Sequence, residues 1–393
     1  MATRAINIGD SPNSPTGRLD SWLVQVDDAF VSAWDDLAAC CVEPNIFAES
    51  WFLGTALAQF DPKGRVQLFT LWDEGCLVGL MPIAPQPQYG RWPVPHVQNW
   101  LHHNAFLGTP LVRSGFEHCF WRVLLALLDD SPGQALFAHF NGLTVDGIVA
   151  TALSQTCISQ NRRSGLVHQH QRALLTGDMT ADAYLESAVR AKKRKELRRQ
   201  RSRLAEEGSL SFMRHTDESG LAGWTMEFLK LERAGWKGLN GSALDCASDT
   251  RMLFNKALIG ASQRGKLERL DLRLDGKPLA MLVNFISGPG CFSFKTAFDE
   301  DFARFSPGVL LQIENLALLD RGEVSWCDSC AAEGHPMIDS LWTGRRAIGR
   351  YSVAVGGHGR RGIFAALLKA ELARNPLHKP DVQTQMAETG GVE

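Results

Sequence analysis

The segment FKTAFDEDFARFSPGVLLQIENL, residues 294–316, combines an aromatic strand, an acidic turn and an apolar helix. Ser306 is suited to the N-cap of that helix and Pro307 to its first position. Phe305 and Leu310 have the spacing of a hydrophobic staple, which fixes the angle at which a chain enters a helix. The segment therefore predicts a helix that begins at Pro307, directly after the acidic turn.

A helix start of this kind is suited to bind an anion. The first amides of a helix have no acceptor within it, and the helix dipole adds positive charge at that end. We expect the amides of Gly308 and Val309 to be free and to bind a diphosphate or a carboxylate, with Ser306 beside them. The alternative is a capped core helix without a ligand.

The composition excludes several classes of protein. The chain has 393 residues, 45% of them hydrophobic, and a net charge of -2, which indicates a globular protein of two or three domains that is not built as a whole to bind nucleic acid. Nine scattered cysteines fit a reducing compartment. The first residues have no apolar targeting segment, so we expect a cytoplasmic protein, with weak attachment to the inner membrane left open.

Two hairpins organise the chain. One turns at Asp73-Glu74-Gly75, and the other turns at Asp275-Gly276, which is the strongest hairpin signal in the sequence. Helices precede each hairpin, and a crossing helix and a closing strand follow it, so the order predicts a duplicated α/β unit. The expected divisions are a flexible tail at 1–19, a first unit at 20–176, a second unit at 177–375 and a flexible tail at 376–393.

Several motifs, in order, carry a resemblance to a known family. They are LFTLWDEGCLVGLMPI (68–83), RKELRRQRSRL (194–204), LERAGWKGLNGSAL (231–244), LDGKPLA (274–280), the segment from Phe294 to Gly322, and WCDSC (326–330). Together they resemble the GNAT-type acyltransferases of the FemAB-like, cellulose-biosynthesis (CelD) branch, over about residues 30–350. The resemblance implies an α/β fold of two tandem GNAT-like units with mixed sheets.

The resemblance also implies a reaction. An acyl group would pass from acyl-CoA or an acyl carrier protein to an amine or hydroxyl of a polysaccharide or lipid precursor, without a metal. In such folds two parted strands bind the pantetheine arm and a helix start holds the diphosphate. Ser306-Pro307-Gly308 replaces the usual glycine-rich acetyl-CoA loop, which leaves a longer or different acyl donor open.

Two other functions stay open at this point. One is FemAB-like aminoacyl transfer from tRNA, although the second half shows no inserted helical-hairpin arm. The other is a non-catalytic module of the same fold that binds an anionic surface.

Acyl transfer needs a base near neutral pKa, and two residues are candidates. His335 lies in a loop after a predicted strand, where sites are commonly built, and we predict it as the base, with Asp328 as its orienter or as a ligand of the acceptor. Glu232 is the second candidate for the base. The alternative is a loop histidine without a role.

The acceptor is expected to contact four further residues. Trp236 and Lys237 follow Glu232 and would line an acceptor groove. Lys295 lies between aromatic residues on a strand and either points to solvent or reaches an acidic ligand group, and Asp299 follows on the same segment. His102 and His103 could face the same cleft, although a loop pair with satisfied hydrogen bonds is the alternative.

The most basic stretch is RAKKRKELRRQRSRL, residues 190–204, with nine basic residues and one acid. It predicts a docked helix with cationic outer faces, on which Arg194 and Arg198 would bind the cofactor phosphates. Anionic lipid headgroups and tRNA are the alternative partners, but the stretch has no aromatic residues, which argues against base stacking. The CDSC motif at 327–330 lacks the second cysteine pair of a zinc site, so no metal is predicted.

Overall fold

The computed structural model describes residues 4–7 and 14–374, which form a mixed α/β protein with one large sheet. Its strands, β1 to β14 in chain order, are Arg4–Asn7, Thr16–Ser21, Gln67–Asp73, Cys76–Gln86, His96–Asn99, Leu111–Val112, Phe137–Thr144, Ser164–Thr176, Leu210–His215, Leu267–Leu274, Lys277–Ser287, Gly290–Phe298, Trp326–Asp328 and Gly344–Ala354.

The helices, α1 to α13 in chain order, are Trp22–Gln25, Asp28–Cys40, Thr55–Phe60, Glu117–Asp130, Ile148–Ser159, Ala181–Ala188, Ala191–Glu206, Leu221–Ala234, Trp236–Leu239, Ser248–Ser262, Pro307–Asn315, Pro336–Asp339 and His358–Arg374. Short 3₁₀ helices lie at Ile46–Ala48, Leu244–Cys246, Glu300–Phe305 and Leu316–Asp320, and a π-helical turn lies at Ser50–Gly54.

The strand order shows two similar units side by side. The sheet runs β1-β2-β3-β4-β5-β7-β14-β8-β13-β12-β11-β10-β9, with β6 beside β4. In each half an outer strand and a hairpin lead to a parallel pair, β5 with β7 in the first half and β12 with β13 in the second. The predicted fold class, two tandem α/β units with mixed sheets, is therefore confirmed.

The two units exchange their last strands at the centre of the sheet. β8 follows the first unit in sequence, yet it pairs with β13 of the second unit. β14 follows the second unit, yet it pairs with β7 of the first. β8 and β14 also pair with each other over ten residue pairs, so the sheet is continuous through both units. The predicted division at 176/177 remains a prediction, because β8 belongs to one unit by sequence and to the other by pairing.

The two predicted hairpins are confirmed. Both carry left-handed residues at their two turn positions: Glu74 and Gly75 have φ values of 47° and 82°, and Asp275 and Gly276 have values of 48° and 78°. Two successive residues with positive φ are what the type I′ turn requires, and its twist matches that of the flanking strands.

The prediction for the N-terminal tail needs a correction. Residues 1–19 were expected to be flexible, but Thr16–Ser21 form β2, which pairs with β3, and Arg4–Asn7 pair with β2. Leu19 explains the docking of β2, because its side chain is buried in the core of the first unit. The predicted tail at 376–393 lies outside the described residues.

An aromatic cluster joins the two units. Phe47 of the first unit contacts Phe292 of the second with ring centroids 5.6 Å apart, and Trp51 contacts Phe285 at 5.1 Å. Such aromatic pairs contribute roughly 0.5–1.5 kcal/mol beyond the area that they bury. The cluster fixes the first unit against β11 and β12, next to the point where β12 leaves β13.

Candidate active site

A gap opens where β12 and β13 part. The two strands pair only from Gly290 to Phe292 on β12 and from Trp326 to Asp328 on β13. Beyond these pairs β12 continues to Phe298, whereas the chain after Asp328 turns away through Cys330, which has a left-handed φ of 52°. The gap holds a cavity of about 430 Å³.

The cavity brings together five of the predicted site residues. Its wall is formed by β12, the ends of α8 and α9, one side of α11, the loop after β13, and one residue of the first unit, Phe106. The predicted residues in this wall are Glu232, Trp236, Lys237, Lys295 and His335. They come from three separate parts of the sequence, and they remain proposals as site residues.

Glu232 and Lys237 form an ion pair at the cavity. Glu232 is buried near the end of α8, and its Oε1 lies 2.8 Å from Lys237 Nζ. Its Oε2 accepts a hydrogen bond of 2.8 Å from the amide of Leu244. Lys237 Nζ also donates to the carbonyl oxygen of Thr296 at 3.4 Å. Both carboxylate oxygens of Glu232 therefore already have a donor.

Lys295 contributes a cation without a carboxylate partner. Its Nζ lies 5.1 Å from the ring centroid of Phe106 and 5.4 Å from that of Phe294. No ion pair involves this amine among the residues that the structure describes. Burial, followed by repulsion from Lys237, lowers the pKa of Lys295 to about 8.

His335 lies at the edge of the cavity, at the N-cap of α12. Its Nδ1 is buried and has no hydrogen-bond partner within the described part of the chain. Its backbone carbonyl accepts from the amides of Ile338 and Asp339, which holds the residue at the start of the short helix. The imidazole thus has one buried nitrogen without a hydrogen-bond partner in this part of the chain.

Asp328 does not have the predicted role of orienting His335. Its carboxylate is fully buried and accepts from Arg346 Nη1 at 3.0 Å, from Arg172 Nη1 at 3.3 Å and from the amide of Cys330 at 2.8 Å. No hydrogen bond joins it to His335 among the described residues. Asp328 instead holds two arginines and the turn after β13 together, which fixes the shape of the gap.

The helix start at Pro307 is confirmed, but its details differ from the prediction. Ser306 has a left-handed φ of 53° and makes no side-chain cap, and its carbonyl accepts the amide of Val309 at 2.9 Å. The prediction that the Val309 amide is free is therefore wrong. Gly308 is buried behind two residues of the cavity wall, since a Cβ there would be 3.3 Å from Met337 and 3.4 Å from Phe298.

Arg194 and Arg198 lie in a different cavity from the other predicted residues. This second cavity, of about 540 Å³, is lined by α6, α7 and the side of α11 that carries Ile313 and Glu314, whereas Gln312 faces the first cavity. Arg194 Nη1 donates to the carbonyls of Glu186 and Val189, at 2.6 Å each. Helix α11 thus separates both arginines from the gap between β12 and β13.

Asp299 is engaged away from the cavity. It accepts the amide of Asp301 at 3.1 Å and pairs with Lys277 at 2.8 Å. Its neighbour Glu300 lines the cavity instead and accepts the amide of Trp236 at 2.7 Å. The acidic residue of this segment that lines the cavity is therefore one position later than the predicted one.

Several wall residues were not predicted from the sequence, among them Phe106, Glu300 and Gln312. Gln312 is buried, and its amide nitrogen lies 3.4 Å from Ser293 Oγ. Its signal was a polar residue on the buried stripe of an otherwise apolar helix. Phe106 had no local signal, because it reaches the cavity from the other unit.

Two further predictions concern groups near the cavity. His102 is packed among aromatic rings, and burial lowers its pKa to about 3, so it stays neutral there. The thiol of Cys330 lines the cavity, and burial raises its pKa well above the ordinary value. Among residues 4–7 and 14–374 no cluster of histidine, cysteine and acidic side chains is arranged to hold a metal ion.

Comparisons with known proteins agree with this geometry. A family model described as an acetyltransferase (GNAT) domain matches residues 191–335. This part of the second unit is therefore similar to GNAT acetyltransferase domains. The matched range includes both parted strands, α11 and the five cavity residues named above. The narrower cellulose-biosynthesis branch stays a prediction.

Solved structures show the same fold over most of the chain. The structure of FemX aligns with a TM-score of 0.53 and 12% identity, covering 86% of this chain and 98% of that one. A conserved protein of unknown function from Bacteroides thetaiotaomicron aligns with a TM-score of 0.53 and 11% identity, covering 84% and 98%. No curated protein matches the sequence significantly. In the described ranges, none of the helices has the length and apolar character to cross a membrane.

Proposed function

We propose that the second unit transfers an acyl group from acyl-CoA or an acyl carrier protein to an amine or hydroxyl of a polysaccharide or lipid precursor. The observation that carries this proposal is the gap between β12 and β13 with the start of α11 beside it. An extended thioester arm and a diphosphate need these two features next to each other.

The residues fit a thioester donor. Beyond Phe292, the edge of β12 that faces β13 has lost its strand partner, so its backbone groups can pair with the amides of a pantetheine arm. The Gly308 amide lies at the positive end of α11 and would hold the diphosphate. The absence of a side chain at Gly308 matters, because Met337 and Phe298 leave little space there.

The chemistry needs one proton acceptor. The nitrogen or oxygen of the acceptor attacks the thioester carbonyl carbon, the carbon–sulfur bond breaks, and the amide or ester and a thiol are formed. We assign His335 as the base that takes the proton of the acceptor and passes it to the leaving thiolate. Its Nδ1 is free, whereas Glu232, the second candidate, already binds Lys237 and the Leu244 amide.

The acceptor would enter past Trp236. This side chain lines the cavity and is 53% exposed, so it lies at the mouth. Lys237 and Lys295 would contact the polar part of the acceptor deeper in the wall.

One observation favours a second function, FemAB-like transfer from aminoacyl-tRNA. The outer face of α7 carries exposed cations, and Lys192, Lys193 and Lys195 have no ion-pair partner in the described residues. A non-catalytic anion-binding module would show the same face. Release of a free thiol from a CoA thioester would distinguish the first proposal from both.

Calorimetry with acetyl-CoA and octanoyl-CoA tests the donor site. Gly308→Glu adds bulk and negative charge at the helix start, and we expect roughly tenfold weaker binding, about 1.4 kcal/mol. Gly322→Glu is the matched control, because Gly322 is exposed and no other atom would lie near its Cβ. Equal binding by both variants, or an equal loss in both, would place the donor elsewhere.

A further inference from the structure

The cavity contains a cation that the protein itself does not neutralise. The amine of Lys295 lies over the rings of Phe106 and Phe294 and forms no ion pair within the described residues. A cation on an aromatic face gains some electrostatic stabilisation, but the rings carry no net charge. A charge held away from water at an apolar wall is costly unless a counter-charge accompanies it.

The nearby carboxylates are already engaged. Glu232 binds Lys237 through one oxygen and the Leu244 amide through the other, each at 2.8 Å. Glu300 accepts the amide of Trp236 at 2.7 Å. Glu300 keeps its charge, but among the described residues it forms no ion pair with Lys295, so Lys295 is a cation of the wall without a carboxylate at ion-pair distance.

We propose that the acceptor carries a carboxylate and that Lys295 binds it inside this cavity. This inference rests on the proposed acyl transfer and adds the chemical class of the acceptor. The carboxylate would be that of an amino acid or of a sugar acid, with the amine or hydroxyl that receives the acyl group nearby. A cavity of about 430 Å³ accommodates either molecule beside the end of a thioester arm.

A matched pair of probes tests the anion site without any reaction. 4-Fluorobenzoate and 4-fluorobenzamide have nearly the same shape and differ in charge, and ¹⁹F NMR titration gives the Kd of each. We expect the wild type to bind the benzoate at least about tenfold more tightly at pH 6.5. Lys295→Gln should lose that preference and Lys295→Arg should keep most of it, because arginine retains the charge.

Lys256→Gln is the control for loss of one positive charge, because Lys256 lies exposed on α10 away from the cavity. It should bind both probes as the wild type does. Equal binding of the two probes by the wild type would overturn the proposal. A preference that survives in Lys295→Gln but is lost in Lys237→Gln would also overturn it and assign the anion to Lys237.

The pH dependence separates Lys295 from the other titratable groups around it. With a pKa of about 8, Lys295 is charged below that pH and loses its charge above it, so the preference should be full at pH 6.5 and fall as the pH rises through about 8. Binding of the anion itself moves this midpoint upward. The other groups that face or influence it are His102, Glu232, Lys237, Glu300, Cys330 and His335. A fall centred well below pH 8 would overturn the assignment to Lys295.

Two acceptor pairs then distinguish the sources of the carboxylate. Thiol release from octanoyl-CoA is measured with L-serine against L-serinamide and with glucuronate against glucuronamide. We expect the acid to react faster than its amide in one pair, and a faster amide in both would overturn the proposal. If the wild type does not bind CoA thioesters but prefers 4-fluorobenzoate through Lys295, the proposed function fails while the anion site stands.

Discussion

The two units part their parallel strands in the same way, but only one leaves a usable gap. In the first unit β5 and β7 pair at Val97 and Gln98 and then separate. Asn99 bridges that separation: its Nδ2 donates to the carbonyls of Asn141 at 2.8 Å and Gly108 at 3.1 Å, and its Oδ1 accepts the amide of Asn141 at 2.7 Å. The cavity that remains beside Asn99 has about 20 Å³, against about 430 Å³ in the second unit.

The difference means that the two units contribute differently to the cavity. One asparagine and the segment 100–110 close the first gap with hydrogen bonds and apolar side chains. The same segment carries Phe106, whose ring packs against Phe294 and whose carbonyl accepts from Arg172 at 2.8 Å. The first unit therefore has no open gap of its own and supplies part of the wall of the second.

The largest effect should come from the open gap. His335→Ala should lower kcat with octanoyl-CoA by roughly 10²–10⁴-fold and leave donor affinity nearly unchanged, because a general base acts on the proton that moves during transfer. Stopped-flow measurement of thiol release and calorimetry with the same thioester separate the two quantities.

Glu232→Gln is the competing variant for that experiment. If it abolishes turnover while His335→Ala retains it, the base is Glu232 and the assignment of His335 fails. Loss of folding is monitored by circular dichroism, because Glu232 is buried and holds the Leu244 amide.

The closed gap should affect stability and not transfer. Asn99→Ala removes three buried hydrogen bonds, and we expect the free energy of unfolding to fall by about 2–3 kcal/mol with little change in the Kd for octanoyl-CoA. Urea denaturation measures the first quantity and calorimetry the second. Asn240→Ala, at an exposed position, is the control. A loss of donor binding without a loss of stability would mean that the first gap is also a ligand site.

The smallest effect should come from α7, whose exposed cations lie outside both gaps. Reversing Lys192, Lys193 and Lys195 to Glu should weaken use of an acidic octanoyl-acyl carrier protein a few-fold at low salt and hardly at all at high salt. Kinetics at several salt concentrations check this, with octanoyl-CoA as the small-donor comparison.

Reversing the charge of Arg194, Arg198 and Arg201 instead would not test charge alone. Arg194 also caps the end of α6, and Arg201 pairs with Glu314 at 3.0 Å, so that variant changes packing as well as charge. An unchanged salt dependence in the lysine variant would leave α7 as a solvated face. If the lysine variant loses less affinity for tRNA than for the carrier protein, that result would argue against the second proposed function.

Local signals in the sequence account for the elements that were predicted correctly. The hairpin at Asp275-Gly276 and the helix start at Pro307 depend on the backbone preferences of a few adjacent residues. Glu232 and Lys237 could also be predicted from the sequence, because both lie on one short segment that reaches the cavity.

The remaining features depend on contacts between distant residues. Asp328 was predicted to orient His335 because the two are close in sequence, but one of its two arginine partners, Arg172, lies 156 residues earlier on β8. Phe106 reaches the cavity from the first unit, and Arg194 is separated from the gap by α11. Such placements follow from how the two units pack, which the residue pattern of either unit alone does not contain.

The exchange of β8 and β14 has a consequence for how the chain is made. During synthesis β7 emerges roughly 200 residues before β14, its partner, which at about 5–20 residues per second is a delay of roughly 10–40 s. Over that interval the first unit presents an unpaired strand edge, and β8 has neither β13 nor β14 to pair with. A nascent first unit is therefore an aggregation hazard that a chaperone would have to shield, and neither unit is a natural fragment to express alone.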